Sequence, residues 1–127
     1  MTVRRWAPPV PRIVAMAALV AGLAGFSFFH NRLVKSTPAD QSAVATAPKE
    51  IRLWFAEAPE PALSRVALMT ADSTPVTTGK VRKTDDPLSI AVDVTGAMPA
   101  GRYLVRWRTS GADGHVIQGT FRFSVGK

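Results

Sequence analysis

Asp113 and His115 stand two residues apart in Ser110-Gly111-Ala112-Asp113-Gly114-His115, near the end of a 127-residue chain with only two histidines. In extended backbone, positions i and i+2 project to the same side, about 6.6 Å apart. A carboxylate and an imidazole spaced this way can converge on one point, and together they are donors for a metal ion. Alone the motif is short, and Asp113-Gly114 is also an ordinary turn dipeptide. The other histidine, His30, lies at the opposite end of the chain, where an apolar leader stops. A fold that joins these two places would gather two imidazoles and a carboxylate around one ion.

Other chemistries are excluded by residue type. The chain has no cysteine, which rules out disulfides, thiolate zinc sites, iron–sulfur clusters and a cysteine nucleophile. There is no Ser/His/Asp set, no phosphate loop and no zinc motif. An oxidative enzyme built on such a metal ion is disfavoured, because about 98 residues leave little substrate platform and no second acid or base is evident. The expectation is a protein that is not an enzyme. The formal charge is +7, with three of the sixteen Lys and Arg residues inside positions 1–29; the remainder carries 13 against 9 acids. That is a mildly basic surface without the dense patch or module of a nucleic-acid binder.

Residues 1–29 read as a separate unit. Arg4, Arg5 and Arg12 precede Ile13 to Phe29, a charge-free apolar run. A basic region followed by an apolar one is a secretory signal, and the run is also near the shortest membrane span. Three outcomes stay open: cleavage before His30 with Phe29 at the −1 position, cleavage after Ala24, or retention as an anchor. Arg4-Arg5 is a weak twin-arginine signal.

From residue 30 the texture is that of short strands. His30 to Lys35 is read as a first strand and Ala43 to Pro48 as a connector. Glu50 to Glu57 alternates, with Ile51, Leu53 and Phe55 on one face and Arg52 and Trp54 on the other. Strands follow over Ser64–Thr70 and Leu88–Val94, with an edge strand over Val76–Lys83 between them. Arg102–Arg108 and Thr120–Val125 flank the Asp113/His115 loop. Trp54, Trp107, Tyr103 and the phenylalanines are read as core. About seven strands at this spacing, separated by Pro and Gly turns, predict an all-β, antiparallel Greek-key sandwich or barrel after an N-terminal hydrophobic helix.

The runs His30-Asn31-Arg32-Leu33-Val34-Lys35-Ser36-Thr37-Pro38-Ala39-Asp40 and Ala47-Pro48-Lys49-Glu50-Ile51-Arg52-Leu53-Trp54-Phe55-Ala56-Glu57 resemble the opening of the CopC/PcoC-type copper-resistance domain. Pro99 to Arg108, followed by Ser110, Asp113, His115, Gly119 and Phe121, resembles its closing half. The resemblance covers residues 30–127. It implies an Ig-like or cupredoxin-like fold and a periplasmic or otherwise extracytoplasmic Cu(II)-binding protein that serves copper resistance and works with a CopD-type inner-membrane partner. It also implies a ligand set of His30, through amine and imidazole, with Asp113 and His115, and Glu57 as a further candidate. Ala56 departs from the family's F-S-E pattern, and Met69 and Met98 stand alone where some members carry a methionine-rich Cu(I) loop, so no Cu(I) site is expected. Without metal, the same sequence would read as a membrane-anchored Ig-like structural or interaction domain. Membrane contact, in either reading, comes only through the N-terminal segment if it is uncleaved.

Overall fold

Alternating apolar residues dictate two sheets that face each other. The computed structural model describes residues 2–6 and 31–126; the expected helix over Ile13–Phe29, and His30 itself, lie outside the described residues. Nine strands occur: β1 Leu33–Thr37, β2 Ser42–Val44, β3 Glu50–Phe55, β4 Arg65–Thr70, β5 Pro75–Val76, β6 Arg82–Lys83, β7 Ser89–Asp93, β8 Gly101–Ser110 and β9 Val116–Val125. Seven have three or more residues and two have only two. The four-stranded sheet has the order β1-β3-β7-β6 and the five-stranded sheet β2-β9-β8-β4-β5.

Every pairing is antiparallel except that of β2 with β9. β2 falls in the segment expected as a connector, because three residues are too few to show a period of two. The single edge strand expected over Val76–Lys83 is instead two fragments in different sheets, with Thr78 bridging to Val94 between them. Here the chain crosses from one sheet to the other.

Side chains from both inner faces fill the core. Ile51, Leu53 and Phe55 meet Val66, Leu68, Tyr103, Val105, Trp107, Phe121, Phe123 and Val125. Ile90, Ala91 and Val92 are all buried, so β7 is covered on both faces; Leu88, expected to share that alternation, is exposed. Phe55 and Trp107 contact edge to face, with ring centroids 5.3 Å apart. Tyr103 stacks on Phe123 and donates its hydroxyl to the Pro99 carbonyl, pinning the turn that feeds β8. Burial raises the Tyr103 phenol above its ordinary pKa.

Trp54 departs from the expectation of a core residue. It stands on the outer face of the four-stranded sheet, half-buried, with Lys35 Nζ 4.6 Å and the Arg52 guanidinium 4.7 Å from its ring centroid. The alternation of β3 points it outward, and the two cations shield the ring.

Candidate metal centre

The β8–β9 hairpin sets up the motif. Its last cross-strand pair is Ser110 with Val116, so residues 111–115 form the connecting loop. Gly114, at φ +80°, takes the left-handed conformation that glycine accepts without strain, and its N–H donates to the Gly111 carbonyl. Asp113 and His115 therefore meet in a turn, not along extended backbone as their spacing suggested. Asp113 Oδ1 accepts the His115 backbone N–H at 3.1 Å, and Asp113 Oδ2 lies 3.0 Å from His115 Nδ1.

This contact bears on the chemistry of the imidazole. A carboxylate oxygen only accepts, so the hydrogen bond is made when Nδ1 carries the proton. In the neutral ring Nε2 then carries the lone pair. The His115 side chain is 70% exposed.

The base of the loop is fastened to the segment after β3. Glu60 N–H donates to the Ser110 carbonyl at 2.9 Å. Ser64 Oγ lies 2.6 Å from both the Glu60 carbonyl and the buried Thr109 Oγ1. A hydroxyl has one proton, so Ser64 donates to Glu60 and Thr109 donates to Ser64. A β-carbon on Gly111 would lie 3.8 Å from the Ala58 carbonyl oxygen and 3.7 Å from Asp113 Oδ1, which places residue 58 against the loop.

The same segment is held on its other side by the start of the described domain. Asn31 Oδ1 accepts the Glu57 N–H at 2.9 Å and its own neighbour's N–H, from Arg32, at 3.0 Å. Ala56 N–H donates to the Arg32 carbonyl. Residues 56–60 thus join Asn31 and the Asp113/His115 turn at one end of the sandwich. Asn31 was not singled out in the sequence; its signal was an Asn directly before a strand, a residue that bonds backbone through its side chain.

The candidates separate as follows. Asp113 and His115 are brought together. Glu57 sits at the same end with its side chain exposed, and the described contact it makes is through its backbone N–H. His30 lies outside the described residues. Among the described residues no group of three or more His, Cys, Asp or Glu could hold a metal ion. Asp113 and His115 fit such an ion as a partial set, offering imidazole nitrogen and carboxylate oxygen. Met98 packs against the core, and Met69 lies in β4 opposite Leu104.

Comparison with known proteins adds four findings. The CopC domain family model matches residues 33–126. Copper resistance protein C of Escherichia coli is 33% identical over 121 residues, which cover 90% of this chain and 95% of that protein. Copper transport protein CutJ of Bacillus subtilis is 30% identical over 102 residues, 80% of this chain, but this chain spans only 19% of its length. The solved structure of PcoC from E. coli, described as a methionine-rich copper resistance protein, superposes with a TM-score of 0.67 at 36% identity, covering 76% of this chain and 98% of that one.

Proposed function

The chain belongs to the CopC domain family of copper resistance and transport proteins, and on that premise we propose that it carries Cu(II) outside the cytoplasm, bound between His30 and the Asp113-x-His115 turn. The observation that carries this reading is the Asp113–His115 contact. By holding Nδ1–H, Asp113 leaves the lone pair on Nε2 as the metal donor, the arrangement that metal-binding histidines ordinarily receive from a neighbouring carboxylate. Copper is cargo here, not a catalyst, and no reaction is assigned.

His30 completes the set through its imidazole and, where the leader is cut immediately before it, through its amine. Two imidazoles, an amine and a carboxylate suit the tetragonal preference of Cu(II). The hydrogen bond from Glu57 to Asn31 supports this reading, because Asn31 is the covalent neighbour of His30 and lies at the same end of the domain as Asp113. Glu57, exposed there, is an additional oxygen donor. The basic and apolar character of residues 1–29 supports export. The Bacillus relative carries the matching region as a fifth of a longer protein named for copper transport. That supports exchange with a membrane partner of the CopD type.

Cu(II) titration against a competing chelator tests the reading. Asp113→Asn, which keeps size but removes the charge facing Nδ1, is expected to weaken binding by at least about tenfold, the lower bound for losing a group that orients a metal ligand, and by more where the carboxylate also binds the ion. Unchanged affinity in that variant would remove Asp113 from the site, both as ligand and as orienting group.

A further inference from the structure

The two outer faces of the sandwich differ in how their charges are handled. On the four-stranded sheet, Arg82 pairs with Glu50 and Asp93, and Arg52 pairs with Asp85. Arg52 and Lys35 also cover Trp54. The five-stranded sheet contains no Asp or Glu in any of its strands, yet it presents Arg65, Arg102, Arg106, Arg108 and Arg122, all exposed. Among the described residues none of these five guanidinium groups makes an ion pair or a hydrogen bond, although the Arg122 backbone N–H donates to Asp40 Oδ1 at 3.1 Å.

Register makes the five a continuous band. Arg65 is directly opposite Arg108, a position where side chains are about 5 Å apart and like charges destabilise. Arg106 follows two residues before Arg108 on the same face. Arg122 is opposite Leu104, which makes Arg106 and Arg102 its diagonal neighbours at about 7–8 Å. The band runs from Arg102 to Arg108, about 20 Å along β8, and ends two residues before Ser110. Unpaired arginines in this arrangement repel one another in the free protein, and an external anion relieves that repulsion.

We propose that this face docks a protein partner through a run of carboxylates, with the Arg65/Arg108 end set beside the Asp113-x-His115 turn. Two observations favour an acidic protein over an anionic bilayer. First, every cation on the face is arginine and none is lysine, although Lys35 and Lys83 occupy the opposite sheet. A lipid surface attracts either cation about equally, whereas bidentate carboxylate recognition requires the guanidinium. Second, apolar side chains adjoin the band. Leu63 is 60% exposed and Val116 is 52% exposed, and both line one shallow groove with Arg65, Arg108 and Gly114. Arginine mixed with exposed apolar residues is the composition of protein interfaces, from which lysine is depleted. Identifying the partner as the one that exchanges copper rests on the function proposed above; the docking itself does not.

The test uses the full chain without metal. Fluorescence anisotropy measures binding of a labelled peptide of alternating glutamate and leucine to wild type, to R65K/R108K and to R65E/R108E. Flotation with vesicles of phosphatidylcholine and phosphatidylglycerol in equal parts is measured on the same three proteins. The expected result is peptide binding weakened about fivefold by the lysine pair, because charge without the planar fork is not equivalent, and abolished by the glutamate pair, with vesicle flotation equal in all three. Peptide binding by R65K/R108K equal to wild type would overturn the proposal, as would vesicle flotation that falls with R65E/R108E, which would assign the face to lipid. A separate Cu(II) titration of these proteins keeps the outcomes distinct: loss of peptide binding with copper uptake intact concerns docking alone, and absent copper uptake in wild type concerns the metal reading alone.

Discussion

His115→Ala is expected to abolish specific Cu(II) binding while leaving the domain folded. In the proposed site the imidazole is the nitrogen donor from the hairpin, and among the described residues no other histidine, and no cysteine, can take its place. Losing a group that only orients a ligand reduces affinity by about 10–100-fold; losing the ligand itself exceeds that. The side chain is 70% exposed, so its truncation leaves no cavity. Stability should remain within about 0.5 kcal/mol of wild type, as for surface substitutions generally. Competition titration and thermal unfolding on the same preparation separate the two effects. Because Cu(II) displaces protons from its donors, wild-type affinity should also fall as the pH is lowered. A variant that binds Cu(II) normally would contradict the assignment.

Gly119→Val is expected to be among the most damaging single substitutions for stability. Gly119 pairs with Trp107 across the β8–β9 ladder. A β-carbon at 119 would lie 2.7 Å from Trp107 Cζ2 and 3.0 Å from Cε2. The indole cannot retreat easily, because it is 7% exposed and packed edge to face on Phe55. Forcing a branched side chain into this contact should cost about 3 kcal/mol, the upper range for overpacking a core. For a domain of this size that lowers Tm by well over 10 °C, at roughly 4–8 °C per kcal/mol. Gly79→Ala is the control, since its β-carbon would meet nothing closer than 3.9 Å. Equal Tm values for Gly119→Val and wild type would show that the indole is not confined by the strand beneath it.

Gly119 also shows how much of this protein is legible in its sequence. The strands with strict alternation, β3, β8 and β9, were readable because one buried face forces a period of two. Their inward residues, Ile51, Leu53, Phe55, Tyr103, Val105, Trp107, Phe121, Phe123 and Val125, form the core as expected. Short strands were not readable: β2, β5 and β6 have two or three residues each, and their pairing is decided by neighbours distant in sequence. Trp54 faces outward because the parity of its position in β3, not its aromatic character, decides its face. Gly119 lay within the motif that carried the family resemblance, but its reason, the space beneath Trp107, exists only once the hairpin register is known.

The candidate site was half legible. Asp113 and His115 are two residues apart in sequence, and the hairpin brings them within hydrogen-bond distance. What spacing could not show is that they meet in a turn, or that the aspartate bonds Nδ1 in particular. Nor could it show the ties through Asn31, Glu57 and Glu60 that gather residues 31, 57 and 111–115 at one end of the fold. The first joins the Asn31 side chain to the Glu57 backbone 26 positions away, the second is backbone to backbone between Glu60 and Ser110, and the backbone groups in both leave no mark in the sequence.

The central claim is that copper is held jointly by His30 and the Asp113-x-His115 turn. The most direct measurement is electron paramagnetic resonance, with competition titration, of the chain beginning at His30 loaded with one equivalent of Cu(II), beside the same chain carrying one additional residue before His30. The account predicts an axial, nitrogen-rich Cu(II) signal in the first protein, and a changed signal with weaker affinity in the second, whose terminal amine has been moved away from His30. Identical spectra and affinities in the two proteins, or no stoichiometric uptake by the first, would contradict it.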